Sequence, residues 1–191
     1  MIGAILTQNT NWKNVERAFE NIRSGGYQIA DLKRLNKSQT ETMIRPSGYF
    51  RQKTKKLQNV FSLLNQTPVA DFLAMPPLKA RKIFLAVNGI GPETADSILL
   101  YAFQKPIFVV DAYTRRIFSR LGHIQPIAPY DQIQALFMSH LPRRHQLYNE
   151  YHALIVKLAK ENCKKVPFCE TCCLQASCQH FKTAIDHSLR Q

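Results

Sequence analysis

Two glycines that bracket a single apolar residue, Gly89-Ile90-Gly91, restrict the fold of this 191-residue chain more than any other feature. Apolar residues recur at helical spacing before them, over residues 79–87, and after them, over residues 94–100. Glycines permit a sharp turn, and Pro92 suits the first turn of a helix. The pattern predicts a helix, a tight hairpin and a second helix whose first N–H groups can bind a phosphate. A simple corner between two helices, capped by a glycine, is the alternative.

Composition supports a helical protein and limits the class of partner. The chain has only 7 glycines and few alternating β-branched runs, which favours a mostly helical fold. Its net charge is +13 while 45% of its residues are hydrophobic, which excludes disorder and indicates nucleic acid, a membrane surface or an acidic ligand. No stretch approaches the roughly 18 apolar residues that cross a bilayer, and the apolar start lacks the features of a signal peptide. We therefore expect a cytoplasmic, nucleoid-associated protein.

Three local patterns indicate where segments begin and end. Ser38 and Glu41 have the spacing of a capping box, which predicts a helix with Ser38 as its N-cap. Residues 107–110 are apolar, which predicts a buried extended link or a short strand. Helical periodicity begins at Ile2 with no capping residue before it, so we expect a missing segment upstream.

Asp111 follows that apolar run and precedes a further helical segment. Such a position is typical of a helix N-cap. Asp111 also lies 20 residues after Gly91, so one helix and one return segment could bring its carboxylate back beside the hairpin. Because a phosphodiester repels a carboxylate, that placement would suit a cationic group, such as the oxocarbenium-like sugar formed when a base leaves. Asp111 is therefore either a structural cap or a catalytic residue.

A cluster of cysteines near the end of the chain predicts a metal site. All five cysteines lie between Cys163 and Cys178, in a chain with no export signal, which argues against a disulfide framework. Four thiolates at this spacing can hold Zn²⁺ or a [4Fe–4S] cluster, and the spacing does not separate the two. The expected ligands are Cys163, Cys169, Cys172 and Cys178. Cys173 is expected not to be a ligand. Lys164 and Lys165 are either phosphate contacts or part of a solvated basic loop.

The hairpin, the aspartate and the cysteine loop, in this order and spacing, resemble the endonuclease III-like helix-hairpin-helix (HhH-GPD) DNA glycosylases. The resemblance runs from Leu6 to Cys178. It implies an all-α fold with two lobes, residues 1–106 with the hairpin and residues 107–191 with Asp111 and the cysteine loop. It also implies a DNA-binding cleft, a [4Fe–4S] cluster in preference to zinc, and a family segment of a few tens of residues before the point where this chain begins.

The function that the resemblance implies is base excision repair. A damaged or mismatched base would flip out of duplex DNA, and Asp111 would drive hydrolysis of its N-glycosidic bond. Gln8 matches a glutamine that fills the space left by the flipped base, or is a polar helix end. Tyr49 and Phe50 lie in the loop that inserts a wedge, or are core aromatics. The hairpin would bind the DNA backbone through Gly89, Ile90 and Gly91. Further phosphate contacts are expected at Lys53, Lys55, Lys56, Arg115, Arg116, Lys164 and Lys165, in a monomeric enzyme.

The chain departs from the family pattern at Glu93. Bifunctional members carry there, two residues after the second hairpin glycine, a lysine whose amine forms a Schiff base with the sugar. A carboxylate cannot form that imine, so hydrolysis by an activated water is expected, with Asp111 orienting the water or stabilising the cationic sugar. Glu93 itself is either a second active-site carboxylate or a partner of the helix dipole. The spacing from Cys163 to Cys169 is also one residue shorter than in the common family loop.

Two other functions stay open at this point. One is a bifunctional glycosylase and abasic-site lyase in which another lysine replaces the missing one. The other is a non-catalytic DNA-binding paralogue.

Overall fold

The computed structural model describes residues 1–188 and the side chains of residues 1–183, so the last three residues of the predicted second lobe lie outside it. Within this range every regular element is helical, which confirms the all-α prediction. The α-helices are α1 Ile2–Leu6, α2 Trp12–Ser24, α3 Lys37–Ile44, α4 Phe50–Gln66, α5 Val69–Ala74, α6 Pro77–Leu85, α7 Pro92–Phe103, α8 Ala112–Leu121, α9 Tyr130–His140, α10 His145–Glu161 and α11 Gln179–Ser188. Short 3-10 turns occupy Ile29–Lys33, Arg45–Ser47 and Gln175–Ser177.

The chain divides into two compact units. The first is Met1–Gln104 and contains α1 to α7, and the second begins at Lys105 and contains α8 to α11. Of the helices in residues 1–188, none combines the length and the apolar character needed to cross a membrane.

The first unit is built on amphipathic helices whose apolar faces are buried together. Val15, Ala18 and Ile22 form the buried face of α2 at helical spacing. Three phenylalanines, Phe72, Phe84 and Phe103, join α5, α6 and α7, with ring centroids 4.9 to 5.7 Å apart. Such tilted aromatic contacts add to the stability gained from burial of the rings.

The N-cap of α3 is Asn36, so the predicted cap at Ser38 is wrong. The Asn36 Oδ1 atom accepts from the Gln39 N–H at 2.9 Å, and the Gln39 Oε1 atom accepts from the Asn36 N–H at 3.0 Å. These reciprocal bonds form a capping box with the same spacing as Ser38 and Glu41, two residues earlier. Asparagine and serine are equally good caps, so sequence spacing alone did not choose between them.

A buried ion pair joins the two helices on either side of the hairpin. Arg81 of α6 donates from Nε to Asp96 Oδ1 at 2.8 Å and from Nη2 to Asp96 Oδ2 at 3.2 Å. The Asp96 side chain is completely buried in α7, and that of Arg81 is only 16% exposed. A two-point arginine–carboxylate contact fixes both the distance and the relative orientation of its elements.

The second unit has an aromatic core around the link that leads to Asp111. Residues 107–110 form a buried extended segment, and no strand is assigned to them. Phe108 stacks on Phe137 of α9 with ring centroids 4.0 Å apart, and Tyr148 of α10 meets its edge. The Gln134 side chain donates to the buried Phe108 carbonyl at 2.6 Å, which satisfies a backbone acceptor outside any helix.

We expect Asp96→Ala to lower the free energy of unfolding by about 3 kcal/mol, because it removes the carboxylate that pairs with the half-buried Arg81. Urea unfolding followed by circular dichroism measures the change. The control is Asp71→Ala, an exposed carboxylate in α5, which should change stability by less than about 1 kcal/mol. Equal losses in the two variants would contradict the structural role of this ion pair.

Candidate functional site

The hairpin between α6 and α7 requires glycine at Gly89. Its φ of +87° lies in the left-handed region, and a Cβ there would lie 2.6 Å from Lys56 Cγ. Ile90 is buried, so its side chain belongs to the core and only its backbone is available to a ligand. Gly91 is exposed and has no atom within 4 Å of a would-be Cβ, which leaves room for another molecule to approach the main chain.

The N-terminal end of α7 follows the hairpin directly. Pro92 is its first residue, and no side chain caps this end. Uncapped helix N-termini bind anions through their N–H groups and the helix dipole. Glu93 is exposed in the first turn of α7, next to this end.

Gln8 lies against the first turn of α7 and the middle of α4. Its Nε2 atom donates to Thr94 Oγ1 at 2.8 Å, and its Oε1 atom accepts from Lys56 Nζ. The Asn59 side chain, one turn further along α4, donates to the Asn88 carbonyl at 3.0 Å. These contacts bring the predicted space-filling glutamine and the hairpin together within the first unit.

Lys53 is a buried structural residue, so its predicted role as a phosphate contact is wrong. It lies on the buried face of α4 with Leu57 and Val60. Its Nζ atom donates to the Leu6 carbonyl at 2.8 Å and to the Ser47 carbonyl at 2.6 Å. Burial, together with the nearby charge of Lys56, lowers the pKa of Lys53 to about 8.

Two arginines that were expected to face phosphates hold backbone carbonyls of the second unit. Arg115 donates to the carbonyls of Pro126 and Ala128. Arg116 donates from Nε to the Cys163 carbonyl at 2.8 Å. Their guanidinium groups therefore bind the backbone of the loops that pack around α8. By contrast, Lys55, Lys164 and Lys165 are exposed.

Tyr49 and Phe50 differ sharply in exposure. Tyr49 is 63% exposed and has a φ of +45°, in the left-handed region that residues other than glycine rarely adopt. Phe50 is half-buried and lies between Arg45 and Arg51, whose guanidinium carbons are 5.5 and 5.8 Å from its ring centroid. Tyr49 is thus the aromatic residue of this pair that the backbone presents to solvent.

Asp111 is the N-cap of α8 and also faces a histidine. Its Oδ1 atom accepts from the Thr114 N–H at 2.7 Å and from the Thr114 hydroxyl at 2.9 Å. Its Oδ2 atom is 3.5 Å from His152 Nε2 in α10. Burial alone would raise the pKa of Asp111, but the hydrogen bond and charge of His152, followed by the bonds from Thr114, hold that pKa below its usual value.

His152 was not predicted as a site residue. It lies 41 residues after Asp111, in a helix whose sequence shows no motif around it. Only the packing of α10 beside α8 brings the two side chains together. No local signal in the sequence marks the pair.

The five thiols of the cysteine loop between α10 and α11 differ in their exposure to solvent. Cys173 is exposed, while the four predicted ligands are half-buried. Burial raises the pKa of the Cys169 thiol, and charges on Cys178, Cys172 and Cys163 act on it in the same direction. Arg120 Nη1 lies 3.2 Å from Cys163 Sγ. Among the described side chains, no group of three histidine, cysteine or acidic residues is arranged to hold a single metal ion.

A protein-family model, curated relatives and solved structures each match most of the chain. A family model described as HhH-GPD superfamily base excision DNA repair protein matches residues 2–143. A candidate DNA repair glycosylase of Methanocaldococcus jannaschii is 44% identical over 184 residues, which are 93% of this chain and 83% of that protein. The crystal structure of an H. pylori 3-methyladenine DNA glycosylase bound to 1,N6-ethenoadenine is similar, with 29% identity and a TM-score of 0.72 over 84% of this chain and 83% of that one. A non-covalent endonuclease III–DNA complex shares the fold, with 22% identity and a TM-score of 0.76 over 97% of this chain and 84% of that one.

The pKa of Lys53 predicts how Lys53→Met affects stability at different pH values. Between pH 8 and 10.5 the unfolded lysine keeps its proton and the folded one loses it, so the wild type becomes more stable as pH rises. Methionine cannot titrate. We therefore expect the stability difference between wild type and variant to shift in favour of the wild type by about 1 kcal/mol from pH 7 to pH 9, measured by urea unfolding.

Lys55→Met removes the same charge from the exposed side of α4 and is the matched control for the net charge of the protein. If the difference for Lys53→Met stays constant with pH, or follows that of Lys55→Met, burial does not control the titration of Lys53.

Proposed function

The chain belongs to the HhH-GPD superfamily of base excision DNA repair proteins, and from that premise we propose that it is a monofunctional DNA glycosylase whose catalytic residue is Asp111. It is a base excision repair DNA glycosylase, an enzyme that cleaves the N-glycosidic bond between a base and its sugar. The catalytic role that we propose for Asp111 rests on its mostly buried carboxylate. The pKa of this carboxylate is held low by His152 and Thr114, against the effect of burial.

The two oxygens of Asp111 have different tasks in this proposal. Oδ1 accepts two bonds from Thr114, which fix the carboxylate at the start of α8. Oδ2 is outside the cap and has His152 Nε2 at 3.5 Å. A fixed, ionised carboxylate can stabilise the positive charge that develops on the deoxyribose as the base leaves, and can orient the attacking water. His152 supports this role by keeping the carboxylate ionised.

In this proposal water, rather than an amine of the protein, is the nucleophile that attacks the sugar. The position of the family's lysine is occupied by Glu93, and a carboxylate cannot form an imine. Lys53 is buried and bonded to two carbonyls, and Lys56 is bonded to Gln8. The product is therefore a free base and an abasic site in an intact strand.

The DNA contacts that we propose combine the hairpin with an aromatic wedge. Gly91 and the uncapped start of α7 bind a phosphate of the backbone. Tyr49 is the wedge, because it is largely exposed and has a left-handed backbone conformation, whereas Phe50 lies between two arginines. Insertion of a large side chain offsets the cost of unstacking a base pair. Lys164 and Lys165 supply further phosphate contacts from the cysteine loop.

The substrate that we propose is duplex DNA with one damaged or mismatched base. The 29% identity to a 3-methyladenine DNA glycosylase whose structure contains 1,N6-ethenoadenine makes alkylated and etheno adenines the first lesions to test. Oxidised pyrimidines and mismatched thymine complete the panel.

We infer that the cysteine loop holds a [4Fe–4S] cluster through Cys163, Cys169, Cys172 and Cys178. Four half-buried thiols, three of which raise the pKa of the fourth, Cys169, have the donor chemistry of such a cluster, and the exposed Cys173 lies outside this set. The guanidinium of Arg120 beside Cys163 offsets part of the negative charge that four thiolates bring. When bound, the cluster would supply four iron–thiolate bonds that fix the loop carrying Lys164 and Lys165.

Asp111→Asn separates the two roles of this residue. Asparagine is as good an N-cap as aspartate, so we expect the melting temperature to change little. Loss of the negative charge should slow base release at least about 100-fold, as loss of one charge-stabilising group does in other enzymes. Single-turnover assays on duplexes that each contain one lesion measure the rate. Asp131→Asn, an exposed carboxylate of α9, is the control and should keep wild-type activity.

The product of the wild-type enzyme tests the monofunctional mechanism. We expect strand cleavage only after alkali, and no covalent protein–DNA adduct when borohydride is added during the reaction. A trapped adduct would instead establish the bifunctional alternative. If Asp111→Asn releases bases as fast as the wild type, Asp111 is only a cap, and if the wild type releases no base from any lesion, the chain is a DNA-binding module.

Serine substitutions test the cluster. Cys169→Ser is expected to lose iron and the brown colour of the anaerobically purified protein, whereas Cys173→Ser keeps both, because Cys173 is exposed and outside the ligand set. Iron, sulfide and zinc are measured per chain. Stoichiometric zinc in a colourless protein, or equal losses in the two variants, would contradict the assignment.

A further inference from the structure

We propose that Lys56 is a positioning residue that fixes the side-chain amide of Gln8 against the hairpin, and not a contact to DNA phosphate. The inference rests on the proposed function, since Gln8 is the residue that would occupy the space left by the flipped base. It changes the role that the sequence suggests for Lys56, which lies among the lysines at the start of α4.

The two contacts of Gln8 allow only one orientation of its amide. An ammonium group has donors and no acceptor, so the atom that faces Lys56 Nζ must be the Gln8 oxygen. The Nε2 group then faces Thr94 Oγ1 and donates to it at 2.8 Å. Rotation of the amide by 180° would place two donors against each other at Lys56. Lys56 therefore decides which end of the amide is the acceptor.

The aliphatic part of Lys56 also packs on the hairpin. A Cβ added to Gly89 would lie 2.6 Å from Lys56 Cγ and 3.0 Å from Lys56 Cε, so the stem of the lysine crosses directly over this glycine. One turn along α4, Asn59 donates to the Asn88 carbonyl at 3.0 Å. Lys56 thus reaches Gln8 along a path fixed by the hairpin.

The environment of Lys56 differs from that of a lysine that serves as a mobile phosphate contact. Lys56 is half-buried, while its neighbour Lys55 is exposed. Thr94, the other partner of Gln8, is only 8% exposed. A charged donor in such a partly buried site makes a stronger hydrogen bond than a solvated one.

This arrangement gives Gln8 a fixed pattern of hydrogen-bonding groups. A side-chain amide has two N–H donors and two acceptor lone pairs, and Lys56 and Thr94 use one of each. One donor and one acceptor remain, with their order set by Lys56. In the function that we propose, these groups meet the base that has lost its partner, so Lys56 acts on the reaction through Gln8.

The test compares Lys56→Met, Gln8→Ala and the double variant. We expect Lys56→Met to lower kcat/KM about 10-fold on the best lesion duplex, because it removes the charged hydrogen bond that orients Gln8. Gln8→Ala should lower kcat/KM at least as much, and the double variant should lose no more than Gln8→Ala. Lys33→Met, an exposed lysine elsewhere in the first unit, should match the wild type. Thermal unfolding of all four variants separates loss of positioning from loss of folding.

Salt dependence of DNA binding separates a positioning lysine from a phosphate contact. Loss of one phosphate contact lowers the slope of log K against log salt by about 0.9, whereas Lys56→Met should leave this slope unchanged. In nitrogen-15 NMR spectra, the Gln8 side-chain N–H signals should shift in Lys56→Met and stay in place in Lys33→Met.

Two results would overturn the inference: a slope lowered by one contact, or effects of Lys56→Met and Gln8→Ala that multiply in the double variant. The slope and the NMR signals do not require base release. They therefore test Lys56 even if the wild type proves to be inactive on every lesion, which would refute the proposed function instead.

Discussion

The close approach of α4 to the hairpin is the constraint on which the first unit depends. Gly89 has a left-handed backbone and no room for a Cβ, because the stem of Lys56 occupies that space. On the other side of the hairpin, the buried Arg81–Asp96 pair fixes α6 against α7. The start of α7 is held by both contacts, and Gln8 reaches it through Thr94. In the function that we propose, this turn binds a phosphate of the DNA backbone, and these side chains hold it in place.

Asp111 in the second unit combines a structural role with the chemical role that we propose. The carboxylate begins α8 with one oxygen and presents the other to His152. A cap and a reacting group are often taken as competing explanations for an aspartate at a helix start. Here the bonds of the cap immobilise the group and help to keep its pKa low, so in the function that we propose the structural role prepares the chemical one.

The hairpin, the helical content and the family could be predicted from the sequence, because they depend on glycine and proline geometry and on spacing along the chain. Predictions about individual charged side chains were weaker. Lys53 belongs to a lysine-rich stretch that suggests phosphate contacts, yet it points into the core and bonds to carbonyls of Leu6 and Ser47. His152 was not predicted, because no motif in the sequence around it indicates a contact with Asp111. The helix begins at the Asn36 cap and not at Ser38, and the sequence did not distinguish them because both have the spacing of a capping box.

The sequence by itself determined where the chain turns, which residues can begin its helices, and that Glu93 cannot form an imine. These are properties of covalent geometry and of single side chains. Only the tertiary structure decided which lysine is buried, which aromatic residue is exposed, and that Lys56 orients Gln8. Those outcomes depend on helices that are far apart in sequence and close in space, where burial and the hydrogen-bonding capacity of each neighbour fix the state of a side chain.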